Sequence, residues 1–123
     1  MKELFIIRGL PGSGKTTLAR KIANVVCEAD QFFYEFGEYK FDKERLGDAH
    51  SFCRDKAERM MKEGIETIAV SNTSIRRWEF EPYERLAEKY GYSVTVIRVD
   101  GKHRSTHGVP AEKIEMMRNN WED

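Results

Sequence analysis

The sequence predicts an α/β fold, a three-layer domain with a parallel sheet of about four strands and helices on both faces. Three observations carry this. Short apolar runs of strand length alternate with stretches of helical periodicity. A glycine-rich turn, Gly9 to Gly14, separates the first strand from the first helix. At 123 residues the chain fits one domain, 1–123, with no repeat, linker or low-complexity tract.

The elements follow in order. Residues 3–8 hold a near-continuous apolar run, which suits a buried parallel strand; Arg8 interrupts it. After the glycine turn, Leu18, Ala19, Ile22 and Ala23 mark a helix. Val25, Val26 and Cys27 begin a second strand that ends near Asp30. Phe32, Phe33, Tyr34, Phe36, Tyr39 and Phe41 crowd residues 31–41 without a period, so a loop is expected, a hydrophobic lid or a base-stacking surface. Asp42 can cap a long helix to about Glu63. Its apolar face is Leu46, Ala49, Cys53, Ala57, Met60 and Met61, with Gly64 as its stop. Residues 67–71 form a third strand, and Asn72, Thr73 and Ser74 a polar turn. A helix then reaches Tyr90, with Pro82 in an early turn and Gly91 at its end. The fourth strand, 93–99, places Val94, Val96 and Arg98 on one face and Thr95, Ile97 and Val99 on the other. Pro110 opens a last helix whose Ile114, Met117 and Trp121 share a face; Trp78 and Trp121 read as packing residues.

Composition excludes several classes. Lys and Arg number 21, as do Asp and Glu, so no basic excess marks a nucleic-acid coating protein. The balance is uneven: residues 28–48 carry seven acidic and three basic side chains. Lys15, Arg76, Arg77, Arg98, Lys102 and Arg104 gather on the phosphate side. Cys27 and Cys53 form no CxxC pair and read as apolar residues of a cytoplasmic protein. No apolar stretch is long enough to span a membrane, and no signal peptide is legible.

The strongest chemical signal is Gly9-Leu10-Pro11-Gly12-Ser13-Gly14-Lys15-Thr16, followed by Thr17. It fits GxxxxGK[ST], the Walker A pattern, directly between a strand and a helix. A loop that wraps a phosphate with inward-pointing N–H groups needs glycine where side chains would intrude. The helix N-terminus adds orphan donors and the positive end of its dipole. Lys15 can reach the β- and γ-phosphates of ATP, and the Thr16 hydroxyl can ligate Mg2+.

The motif does not name the reaction. No Thr/Asn-Lys-x-Asp guanine reader follows a late strand, and the chain is too short for the sensor domain of an ATPase motor. A small kinase remains, with an acceptor opposite the triphosphate. Asp30 stands at the sheet edge where ligands bind; it suits a general base, a water-mediated Mg2+ contact, or a cap. Asn72 lies on the same edge and could orient water, metal or acceptor, or make an Asx turn. Arg76 and Arg77 could meet an acceptor phosphate, or stand solvated at a helix start.

With these residues, the segments CEADQFF at 27–33, FDKERLGDAHSFC at 41–53, VSNTSIRRWEFEPYERLAEKYGY at 70–92 and HGVPAEKIEMMRNNWE at 107–122 resemble the small AAA-type P-loop kinases. These occur in phages and bacteria, and as the kinase-like domain of ubiquitin-ligase-binding proteins. They are similar to the 5′-kinase half of phage polynucleotide kinase. The resemblance covers nearly the whole chain. It implies a nucleotide-kinase-like P-loop fold and an ATP- and Mg2+-dependent phosphotransferase. The leading acceptor is a polynucleotide 5′-hydroxyl; a nucleotide or other small molecule is the alternative. A third reading is a nucleotide-binding module with little kinase activity. By resemblance, Lys15 is the phosphate lysine, Thr16 the metal-side hydroxyl and Asp30 the general base; His50 and Cys53 are structural. Two positions depart from the family. Ser71 stands where relatives often carry Asp before the Asn-Thr pair, and the lid near 100–108 is short. Arg104 is its best candidate for the clamping arginine, with Lys102 and His103 weaker and His107 an anchor.

Overall fold

The computed structural model describes residues 1–35, 38–100 and 111–123. Strand β1 spans Glu3–Arg8, helix α1 Lys15–Ile22 and strand β2 Val25–Cys27. A 3-10 turn, Ala29–Phe33, leads into a two-residue hairpin of β3 (Tyr34–Glu35) and β4 (Glu38–Tyr39). A second 3-10 turn, Lys43–Arg45, precedes α2 (Leu46–Lys62). Then come β5 (Thr67–Asn72), a third 3-10 turn (Arg77–Glu79), α3 (Glu81–Tyr90), β6 (Ser93–Arg98) and α4 (Ala111–Asn119).

The main sheet has the order β2-β5-β1-β6, and its three pairings are parallel. Arg8 at the end of β1 pairs with Asn72 of β5 and Arg98 of β6, so all three chains finish on one edge. Alternation along the strands divides the core in two. Leu4, Ile6, Cys27, Ile68 and Val70 pack under α2 and α3 against Cys53, Ala57, Met61, Tyr83 and Ala87. Ile7 and Ala69 face Ala19 of α1, with Phe5, Leu18, Ile22, Val26 and Ile97 around them. The expected three-layer α/β architecture and its four-stranded parallel sheet are what the chain forms.

Helix ends carry their expected signatures. Gly91 closes α3 at φ 75°, and Gly64 follows α2 at φ 76°. Pro82 occupies the first turn of α3. The buried face of α2 is Ala49, Cys53, Ala57 and Met61; Leu46, at its first turn, is exposed.

Several expectations are corrected. The aromatic segment, read as a loop, contains a 3-10 turn and a short antiparallel strand pair, with Phe33 buried and Tyr39 and Phe41 packed on its ring at centroid distances of 6.3 and 5.2 Å; Phe36 lies outside the described residues. The second strand ends at Cys27, three residues short of Asp30. Asp42 caps the short 3-10 turn, accepting from Glu44 N at 3.0 Å, and does not cap α2 itself. Trp78 is 70% exposed and packs no core; the short turn points it outward and leaves Phe80 to go in. β6 is an edge strand with Val94 and Val96 exposed. Arg8, read as an interruption of an apolar run, is buried.

Candidate functional site: a phosphate loop facing two carboxylates

The loop between β1 and α1 takes its shape from glycine. Gly12 and Gly14 adopt φ 80° and 94°, a region costly for any residue with a Cβ. Gly9 is constrained by space: a Cβ there would lie 2.4 Å from Ser13 Oγ and 2.8 Å from the Val99 carbonyl oxygen. Ser13 N donates to the Leu10 carbonyl at 3.1 Å, closing the turn. Gly14 is the N-cap of α1; it offers no side chain, and the first helical turn holds no acid. The first N–H groups of α1 and its positive dipole end are therefore left for an anion.

Lys15 opens α1, and its Nζ donates to the Leu10 carbonyl at 3.2 Å. Burial lowers the proton affinity of its ammonium; the carboxylate of Glu28, then that of Asp30, works against the shift. The Thr16 hydroxyl donates to Glu28 Oε2 at 2.5 Å. Pro11 and Gly12 are half-buried, Ser13 is buried, and Thr17 is exposed on the helix.

Glu28 and Asp30 are held by the turn after β2. Gln31 Nε2 donates to the Val26 carbonyl at 3.0 Å, and Gln31 Oε1 accepts from Glu28 N at 3.3 Å. Lys56, one layer away on α2, donates to the same carbonyl and to Gln31 Oε1, both at 2.9 Å. Asn72 Oδ1 accepts from Ala29 N at 2.9 Å, and its Nδ2 lies 3.7 Å from Cys53 Sγ. Both ends of the Asn72 amide thus engage the protein, tying the turn that carries Asp30 to the end of β5. Asp30 Oδ1 accepts from the Tyr39 hydroxyl at 3.1 Å. Burial, and then the Asp30 charge, raises the pKa of that phenol, so Tyr39 is a neutral donor at any ordinary pH. His50 is half-buried on α2, and burial lowers its pKa.

Arg76 and Arg77 are exposed beyond the end of β5, and both meet Glu122, Arg76 through its guanidinium and Arg77 through its backbone N–H. Glu122 Oε1 lies 3.7 Å from Arg76 Nε and accepts from Arg77 N at 2.7 Å. Arg104, Lys102, His103 and His107, with most of the expected lid, lie outside the described residues.

The structure therefore brings together Lys15, Thr16 and Asp30, and adds Glu28, Gln31, Tyr39 and Lys56, which sequence reasoning missed. Glu28 was the most legible of these, as an acid two positions before Asp30 at the end of a strand. Hard oxygen donors of this kind, a hydroxyl beside a carboxylate, suit Mg2+. Among the described residues no group of three His, Cys, Asp or Glu could hold a metal unaided.

Fold and loop together define a kinase-like P-loop α/β protein. A family model described as an AAA domain matches residues 4–108, and the chain belongs to that family. It is 36% identical over 128 residues to human NEDD4-binding protein 2, across 93% of this chain but 7% of that protein. Chaetomium thermophilum Kti12, solved in complex with ADP-AlF3, superposes with a TM-score of 0.71 at 15% identity, covering 98% of this chain and 80% of that one. The Mycobacterium tuberculosis APS kinase CysC, in complex with AMPPNP and APS, gives 0.57 at 14% identity, covering 94% of this chain and 67% of that one. At such identities the two solved structures establish a shared fold. No helix among the described residues is long and apolar enough to cross a membrane.

Proposed function

We propose that the protein is an ATP-dependent kinase whose acceptor is the 5′-hydroxyl of a polynucleotide. The observation that supports this reading is the glycine-shaped loop opening onto the N-terminus of α1, with Lys15 at its end and Asp30 in the turn that follows β2, where Tyr39 donates to its carboxylate.

The roles follow from the chemistry of the groups. The loop N–H groups and Lys15 bind the triphosphate and stabilise charge that builds on it during transfer. Asp30 accepts the proton of the acceptor hydroxyl as that oxygen forms its bond to the γ-phosphorus. The bond from the γ-phosphorus to the bridging oxygen breaks, and ADP leaves with that electron pair. Tyr39 donates to Asp30 Oδ1 and holds the carboxylate for this role. Mg2+, held on the Thr16 side, supplies charge neutralisation when bound. The polynucleotide acceptor rests on the family resemblance, and Arg76 and Arg77 are its proposed phosphate contacts. The domain is proposed to be one unit over residues 1–123, completed by a short lid near 100–108 carrying Arg104.

A nucleotide-binding module is the second reading, favoured by the pairing of the Arg76 guanidinium with Glu122, a carboxylate of the chain itself. One assay separates them. The protein is incubated with γ-labelled ATP and Mg2+ against 5′-hydroxyl DNA, 5′-hydroxyl RNA, nucleosides and buffer alone. Label on an oligonucleotide is expected. Label on a nucleoside moves the acceptor to small molecules, and tight ATP binding with no labelled product supports the module.

A further inference from the structure

We infer that Glu28 is the carboxylate on the cation side of this site and that it sets the Thr16 hydroxyl for metal. The inference rests on the nucleotide-binding reading above and assigns a residue that reading did not need. A threonine hydroxyl has one proton and two lone pairs, and an ionised carboxylate can only accept. With Thr16 Oγ1 2.5 Å from Glu28 Oε2, the hydroxyl proton is committed to Glu28. The oxygen lone pairs are then turned away from the carboxylate, which is the orientation a cation requires. Glu28 also adds negative charge beside that oxygen.

The neighbourhood supports a polar occupant. Ser13 and Ser71 are each 3% exposed, and their hydroxyls make no hydrogen bond among the described residues. Ser13 belongs to the loop. Ser71 pairs with Ile7 in the sheet and shares the face of Ala69, the face covered by α1. Buried hydroxyls without a partner are uncommon, and two on the α1 side of one sheet edge point to a site that water or ligand oxygens complete. Ser71 carries no charge, so Glu28 is left as the acidic residue in contact with Thr16. Neither Glu28 nor Thr16 forms a metal cage with other acids, so the cation would arrive with the nucleotide phosphates.

Fluorescent ADP tests this. Affinity is measured in EDTA and in Mg2+ for the wild type, Glu28→Gln and Glu28→Asp, with Mn2+ binding to each ADP complex followed by electron paramagnetic resonance. The wild type is expected to gain about tenfold or more in affinity from Mg2+. Glu28→Gln should keep its affinity in EDTA and lose most of that gain, with a matching loss of bound Mn2+. Glu28→Asp should retain part of both. A Glu28→Gln protein that keeps the full Mg2+ gain overturns the inference, as does one that weakens equally in EDTA and Mg2+, which would mark a purely structural bond. A wild-type chain that binds ADP in neither condition overturns the nucleotide reading itself.

Discussion

The guanidinium of Arg8 lies 4.5 Å from the centre of the Trp121 ring. It lies equally close to Phe80, and it donates to the carbonyls of Ser74 at 2.8 Å, Ile75 at 3.1 Å and Glu122. One side chain at the end of β1 thus fastens the loop after β5 to residues 121–122. Glu122 N returns a bond to the Ile75 carbonyl at 2.8 Å, and Arg98 stands 4.7 Å from the same indole. Burial lowers the Arg8 pKa, yet arginine stays charged at any working pH. The planar fork is what lets one group meet three carbonyls and two rings.

Replacing Arg8 with alanine should therefore cost on the order of 3 kcal/mol, because several carbonyls lose a charged donor and two rings lose their cation. Arg8→Lys should recover little, since a point charge cannot span the same acceptors. Trp121→Ala should cost about 1–2 kcal/mol. Urea unfolding followed by circular dichroism reads all three; Arg8→Lys matching the wild type would contradict the argument.

Gly9 and Gly47 should respond in opposite directions to the same change. Alanine at Gly9 places its methyl 2.8 Å from the backbone oxygen of Val99, which cannot swing aside as a flexible side chain would. Gly9→Ala should weaken nucleotide binding by at least about tenfold and lower the melting temperature. Gly47 lies in the first turn of α2, and an added Cβ meets nothing within 4 Å. Gly47→Ala should stabilise by about 0.5–1 kcal/mol, through helix propensity alone. Calorimetry and ADP titration on the pair distinguish a backbone clash from a general effect of alanine.

What the sequence disclosed and what it withheld differ in physical kind. Strands β1 and β5, helix α3 and the Gly9–Thr16 loop were legible because each rests on local pattern: apolar runs, a capping glycine, a fixed motif. The turn that carries Asp30 was not, because it is fixed by Lys56 and Asn72, which are 25 and 43 residues from their partners Gln31 and Ala29. Trp78 and Arg8 misled for a related reason. Composition assigns tryptophan inward and arginine outward; the short turn Arg77–Glu79 leaves Trp78 exposed, and contacts with Ser74, Ile75, Phe80, Trp121 and Glu122 bury Arg8. The motif marks Thr16 as a metal-side hydroxyl, but no motif pairs that hydroxyl with Glu28, which only the fold brings to it.

Tyr39 should matter to turnover more than to folding. Its hydroxyl donates to Asp30 Oδ1 from a hairpin, while its ring remains packed with Phe33 and Phe41. Tyr39→Phe keeps the ring and removes the donor. Stability should fall by about 1 kcal/mol or less, ADP affinity should hold, and transfer to the acceptor should slow about three- to tenfold. Asp30→Ala should keep ATP binding and abolish transfer. Single-turnover assays with labelled ATP read both, and transfer surviving intact in Asp30→Ala would remove Asp30 from the base role.

Cys27 supplies a pH test of the core. It has no exposed surface, and burial pushes its thiol up to about 12; burial raises the Cys53 thiol as well. An unfolded cysteine ionises near pH 8.5, so above that pH the unfolded chain releases protons that the native chain keeps. The proton-bound native state is then disfavoured, and stability should decline as pH rises from about 8.5 toward the folded value. Both thiols should be silent to an aromatic disulfide reagent at pH 8 in the native protein, and both should react within minutes in denaturing urea. Denaturant midpoints at pH 7, 8.5 and 10 should fall in that order. In a Cys27→Ala, Cys53→Ala double variant the decline should be smaller, because the buried thiols that keep their protons are gone while the tyrosines and lysines remain.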